Sequence, residues 1–462
     1  MQTIQHDKNP SGEGAAARVS RAVATPSIST DTAAGWPVLG SKSHKAVATA
    51  ATICTIGLPN ADRPAAAAGQ KWSVKLAVRS AQARTIQAAI VFYNTAGATL
   101  GTVTGTVPGT ATAFAAGDIK TLTIDGALAP AGTASVDLQV SRTAAGSPAI
   151  SDTFYVDTVA FTRTDTAISY RAPSTDYTAV WSGTVDASTQ LYYDSTVTLT
   201  PQITGNPWVE VFPVDLPPAV ARLRMIRTSE DRTWLVRGGV DVAPGVAAQD
   251  FECPLKSTAT YRAELYDAAG TRLGYTDSAS VVLNVDGTWV HQPLQPLVAT
   301  QVELDDGSGA TLYRETPGEL TYVEGASVAR RIGSRRRGLT KVPISISAFG
   351  VQMDAFQAIL GSYEVEQLGV LCIRTSAPVR WPRTFFASSD DLAEQDVSVK
   401  VGGAYVQFIG TLTEVEPPHP GLVMPLLRYD DLDAFGDYAA QDAGWATYTD
   451  RDRAYALAGL AG

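Results

Sequence analysis

Short runs in which apolar and polar residues alternate, broken at close intervals by glycine, proline or asparagine, set the strongest limit on this chain. In Trp72-Ser73-Val74-Lys75-Leu76-Ala77-Val78-Arg79, the apolar Trp72, Val74, Leu76 and Val78 fall on one face of a strand. Ser73, Lys75 and Arg79 fall on the other, because successive strand residues point to opposite sides. Ala134 to Ser141 repeats the pattern, with Val136, Leu138 and Val140 inward and Ser135, Asp137 and Gln139 outward. Between them, Ile86 to Tyr93 is apolar on both faces and stops at the turn Asn94-Thr95-Ala96-Gly97. Phe154 to Phe161 reads as a further strand. Strands at this spacing, without a helical period, predict a β-sandwich.

The chain has 462 residues, enough for several domains. Hydrophobic residues make up 45% and charged residues 18%, a balance that argues for packed cores rather than disorder. The net charge of −10 is spread along the chain and disfavours general binding to duplex nucleic acid, which needs a basic face. No apolar run approaches the roughly 18 residues of a membrane span. Met1 to Asp7 carry neither a basic nor an apolar leader region, so no secretory signal is expected. Cys54, Cys253 and Cys372 lie far apart, as do His6, His44, His291 and His419; neither a disulfide framework nor a zinc site follows.

Catalytic signatures are equally absent from the sequence: no nucleophile elbow, phosphate loop, zincin helix or dinucleotide fingerprint occurs. The acid pairs Asp305-Asp306, Asp390-Asp391 and Asp430-Asp431 read as turn or capping residues, since neighbours on a strand point to opposite faces. Glycosidase carboxylates instead face each other about 5–10 Å apart from separate strands. An enzyme is not expected.

Beyond the first sandwich (1–165), residues 166–204 read as a polar, aromatic connecting segment. Residues 205–290 hold short runs around Trp208, Ala221, Thr233, Tyr261 and Thr276, with Ala268-Ala269-Gly270 as a hairpin turn. They predict a fibronectin-III-like or immunoglobulin-like sandwich, with Tyr261 tying its strand to upstream backbone as a tyrosine corner. Pro293 and Pro296 stiffen an extended connector. Residues 291–428 mix strands with one helix over Met353 to Leu360, an α+β platform, and 429–462 form a tail rich in Ala, Asp and Tyr. The fold class is therefore mainly β and multidomain.

Several motifs carry a resemblance. Asn9-Pro10-Ser11 followed by Glu13, the Trp72–Arg79 run, Phe92 to Gly97 and the closing Phe154-Tyr155-Val156-Asp157 resemble a jelly-roll carbohydrate-binding module, with Gly12 and Thr158 departing from its pattern. Trp181-Ser182-Gly183-Thr184-Val185-Asp186-Ala187-Ser188-Thr189, Asp286 to Pro296, and Arg337-Gly338-Leu339-Thr340-Lys341-Val342-Pro343 resemble elements of actinobacteriophage (siphophage) minor tail proteins. The tail-protein resemblance implies a virion location at the tail tip and a distal-tail-like or tail-tube-like platform. It also implies a homo-oligomeric ring, threefold or sixfold, that packs against other tail proteins and faces the host envelope.

Two functions remain open, a structural tail part and a host-recognition lectin for cell-wall glycan. For the second, the outward residues Lys75, Arg79, Gln87, Asp137 and Gln139 are the candidate sugar contacts. The module resemblance implies a structural calcium held by Glu13 and Asp157. Arg330, Arg331, Arg335, Arg336 and Arg337, five arginines in eight residues, would repel one another in isolation and point to an acidic partner surface at a subunit interface.

Overall fold

The computed structural model describes residues 3–8, 10, 18–20, 26–32, 41–104, 112–143, 148–185, 188–361, 369–389, 391–397, 405–422, 427, 429–445, 447–452, 454 and 457. The chain forms two compact units, Met1–Asp194 and Ser195–Gly462. Both are built mainly from antiparallel strands, and the protein is a multidomain β protein.

The first unit packs two sheets face to face. One runs Ile119–Leu128, Lys71–Ser80, Thr153–Thr162, Thr3–Gln5, Gln190–Tyr192 and Ala179–Trp181, with Ser27–Asp31 and Ser43–Val47 joined to it through Thr153–Thr162. The other contains Val19–Ser20, Cys54–Gly57, Ser135–Arg142, Arg84–Tyr93 and Thr99–Thr104, with Thr112–Phe114 also paired to Arg84–Tyr93. The alternation read from the sequence holds: Trp72, Val74, Leu76 and Val78 from one sheet meet Val136, Leu138 and Val140 from the other in a single core. Fully buried aromatics such as Phe92, Phe154 and Phe161 each contribute roughly 2–3 kcal/mol there. The Asn94 turn is set by its own side chain, whose Oδ1 accepts the Ala96 and Ala98 N–H groups at 3.0 and 2.9 Å. Residues 166–194, expected as part of a connector, instead supply two strands, Ala179–Trp181 and Gln190–Tyr192, that extend the first sheet beside Thr3–Gln5.

The second unit holds the sandwich and the platform. In the sandwich, Thr196–Gln202, Trp208–Val214 and Ala248–Asp250 form one sheet. Arg222–Ser229, Arg232–Leu235, Thr258–Tyr266, Arg272–Tyr275 and Ala279–Val282 form the second. The turn Asp267–Gly270 closes its hairpin as expected, with the Gly270 N–H on the Asp267 carbonyl at 3.1 Å. The Tyr261 hydroxyl, however, donates to the Asp250 carboxylate at 2.8 Å rather than to upstream backbone.

The platform combines strands with the one helix, as expected. Its described pairings are all antiparallel, and Val342–Phe349 pairs with both Gln295–Leu304 and Tyr405–Glu414, so the sheet closes into a barrel. The proline-marked connector is itself the first barrel hairpin, Thr288–Gln292 turning into Gln295–Leu304. The helix Val351–Leu360 places Phe356 and Ile359 in the barrel core. Three short helices, Tyr429–Phe435, Tyr438–Gly444 and Tyr448–Asp452, follow.

Candidate functional site

The outward residues proposed as sugar contacts do not share a face. Lys75 and Arg79 lie on Lys71–Ser80 in the first sheet, whereas Gln87, Asp137 and Gln139 lie on Arg84–Tyr93 and Ser135–Arg142 in the second. Outward directions on two stacked sheets are opposite, so the row is split across the sandwich. On the first sheet, Arg79 and Lys45 flank the Tyr155 ring at 5.6 and 5.8 Å, and Lys45 pairs with Asp31 at 2.7 Å. Lys75 donates to the Ser169 hydroxyl at 3.0 Å.

The second sheet gathers the fuller constellation. Gln139 Nε2 donates to the Tyr93 hydroxyl at 2.9 Å and to Asp137 Oδ2 at 3.1 Å. The Arg63 guanidinium lies 3.7 Å from the Tyr93 ring centre and 3.6 Å from Asp137 Oδ2. Asp137 Oδ1 accepts the Leu58 N–H at 2.8 Å, so this carboxylate, fully buried, pins the loop after Cys54–Gly57 onto the sheet. Asp137 is thus first a structural anchor. Tyr93 is 7% exposed with Arg63 over its ring, so what this cluster offers a sugar is the guanidinium and the amide rather than an open aromatic platform. Tyr93 was legible from period 2, since Gln87, Ala89, Val91 and Tyr93 share a face; Arg63, on a loop, carried no such signal.

The calcium expectation rests on two residues of unequal standing. Glu13 lies outside the described residues. Asp157 is fully buried, and its Oδ1 accepts the N–H of Thr158, which sits at φ 47° beside a shift in strand register. Calcium takes six to eight oxygens. Among the described residues, no group of three or more His, Cys, Asp or Glu side chains is placed to hold a metal.

The arginine run stands on a projecting arm. Gly318–Thr321 and Arg330–Gly333 form an isolated two-stranded hairpin, rooted by the Arg337 N–H on the Glu315 carbonyl at 2.8 Å. All eight strand residues are exposed. Val328, Tyr322, Ile332 and Leu320 stand 76%, 68%, 67% and 66% exposed. Register puts Glu319, Thr321, Arg330 and Ile332 on one face and Leu320 and Arg331 on the other, so each face carries both apolar and cationic groups. The ladder crosses at a Gly318–Gly333 pair, where a Cβ on Gly333 would come within 2.5 Å of the Pro317 carbonyl oxygen. At the base, Asp305 accepts from Ser345, Ser347 and Gln407 at 2.7, 2.6 and 2.6 Å. That makes it an anchor for the strands around it.

The most strongly perturbed side chains mark a seam between sandwich and barrel. Arg227 pairs with both oxygens of Asp250 at 2.7 and 2.6 Å, and Arg237 with Glu252 at 2.8 Å. Burial pushes the Glu252 carboxyl up, against the pull of Arg237. Burial likewise raises the Cys253 thiol to about 12 and holds His291 well below its ordinary value. From the barrel, Arg374 reaches the Cys253 carbonyl at 3.1 Å and Thr384 the Glu252 carbonyl at 2.9 Å. Arg237 in turn donates to the Pro418, His419 and Leu422 carbonyls at 3.0, 3.0 and 3.1 Å. These groups are sealed, with His291, Cys253, Cys372 and Arg374 fully buried, so they lock the two folds together. Beside the seam, Trp208, Phe251 and Trp289 line an open groove of about 450 Å³ with Asn206 and Gln301.

No family model and no curated protein sequence matches the chain. Among solved structures, it is similar to the CBM22-2 xylan-binding domain of Paenibacillus barcinonensis Xyn10C. That likeness has 15% identity and a TM-score of 0.26 over 36% of this chain and 99% of that one. The enzymatically active domain of bacteriophage CBA120 tailspike protein 4 is similar at 11% identity and a TM-score of 0.26, over 33% of this chain and 20% of that one. The Endo-D glycoside hydrolase domain of Streptococcus pneumoniae R6 is similar at 12% identity and a TM-score of 0.23, over 57% of this chain and 36% of that one. The chain thus spans only a fifth of the tailspike domain's length.

Proposed function

We propose that this protein is a structural part of a phage tail tip, a minor tail protein that joins copies of itself in a ring and turns its β-sandwiches toward the host envelope. The exposed arm carries this reading. A two-stranded hairpin is marginal by itself in water, and four large apolar side chains standing free on one arm are the mark of a surface that meets a partner. The locked sandwich and barrel suit a part that bears load. Ring symmetry would multiply a weak contact into firm attachment. The test is electron microscopy of virions decorated with antibody against this chain, together with the mass of the purified protein in solution. Label at the tail tip and a multimeric mass are expected; a chain absent from every particle would overturn the reading.

Recognition of cell-wall glycan is the second reading, favoured by the Tyr93, Arg63 and Gln139 cluster. Titration of the full chain with cell-wall oligosaccharides tests it. Tyr93→Ala should abolish binding at the sandwich face, whereas loss with Trp289→Ala instead would move the contact to the aromatic groove.

A further inference from the structure

We infer that the arginine arm of one copy docks onto the acidic helical tail, residues 429–452, of a second copy. The inference rests on the ring reading above and names its contact. Arg330, Arg335 and Arg336 are exposed and have no ion-pair partner among the described residues. The run 330–337 contains no acid, whereas residues 429–452 hold seven aspartates and one arginine, a net charge of −6.

Six of those aspartates, Asp430, Asp433, Asp437, Asp442, Asp450 and Asp452, are exposed. Opposite charge at this density steers encounter and fixes register. The apolar complement is present as well. Tyr429, Tyr438 and Tyr448 stand 80%, 77% and 68% exposed on the tail, to set against Leu320, Tyr322, Val328 and Ile332 on the arm. The first two helices of the tail are held together by their own contacts. Gln441 Nε2 donates to the Leu432 and Gly436 carbonyls at 3.1 and 2.9 Å, and the Phe435 and Trp445 rings lie 4.9 Å apart. They therefore offer a formed surface. Because arm and tail are different patches, their pairing is heterologous: each copy uses its arm on one neighbour and its tail on the other, which closes a ring when the rotation allows.

A charge exchange tests this in the full chain. One variant carries Arg330→Glu, Arg335→Glu and Arg336→Glu; the other carries Asp430→Lys, Asp433→Lys, Asp442→Lys and Asp452→Lys, which turns the tail from −6 to +2. Light scattering after size exclusion should find the wild type as a multimer of the 48.6 kDa chain, and each variant alone as the monomer. Mixed in equal amounts, the variants should reassemble, because each arm then meets a tail of opposite sign; reassembly also shows that both remained folded. Multimeric variants, or monomeric variants that fail to reassemble, overturn the arm–tail contact and leave the ring reading standing. A wild type that stays monomeric at every concentration overturns both.

Discussion

Arg374 of the barrel donates from Nη2 to the side-chain oxygen of Asn206 in the sandwich at 2.5 Å, and both stand at the seam that makes residues 195–462 one compact unit. The guanidinium is fully buried, and burial draws it below its usual value. Arg374→Ala removes these donors and strands the Cys253 carbonyl in a sealed site. We expect a loss of roughly 2–4 kcal/mol, read by calorimetry as the single transition of the unit splitting in two.

At the sandwich end of the seam, Asp250 serves Arg227 and Tyr261 together. Tyr261→Phe removes one hydrogen bond and leaves the ion pair, so it should cost about 1–2 kcal/mol. Asp250→Asn leaves a buried guanidinium without its counter-charge and should cost about 3–5 kcal/mol. Denaturant melts of the two variants should keep that order; the reverse order would show that the Arg227 pair is not what holds the site.

Acid should loosen the first unit through His6, whose ring packs 5.0 Å from Trp72. Burial, with the Arg163 cation second, pushes its pKa down to about 4. An unfolded histidine takes up its proton near 6.5, while folded His6 refuses it. Stability is therefore lost as pH falls from about 6.5 toward 4, by an amount on the order of 3 kcal/mol. His6→Gln cannot titrate, so its melting temperature should fall less over that range than the wild type's.

The arm depends on the Gly318–Gly333 crossing. Gly333→Ala would press a methyl group against the Pro317 carbonyl and spread the strands, with no change of charge. Assembly should weaken at least tenfold while the melting temperature of the barrel stays unchanged. Assembly at wild-type strength would show that the strand geometry of the arm is not used.

Alternation by itself placed the strands around Trp72–Arg79 and Ala134–Ser141 and the apolar side of each, because a period of two needs no knowledge of neighbours. Trp72, Val74, Leu76 and Val78 went inward as read, and the Val351–Leu360 helix stands where its spacing put it. Tertiary structure alone decided which outward faces coincide. Lys75 and Gln139 both point out, yet from opposite sheets, and only strand order separates them. It also turned a proline-marked stretch into a barrel hairpin and made Asp137 an anchor for a loop that no local pattern relates to it. Pairing and docking are contacts between residues far apart in sequence, and their energies depend on positions that local composition does not encode.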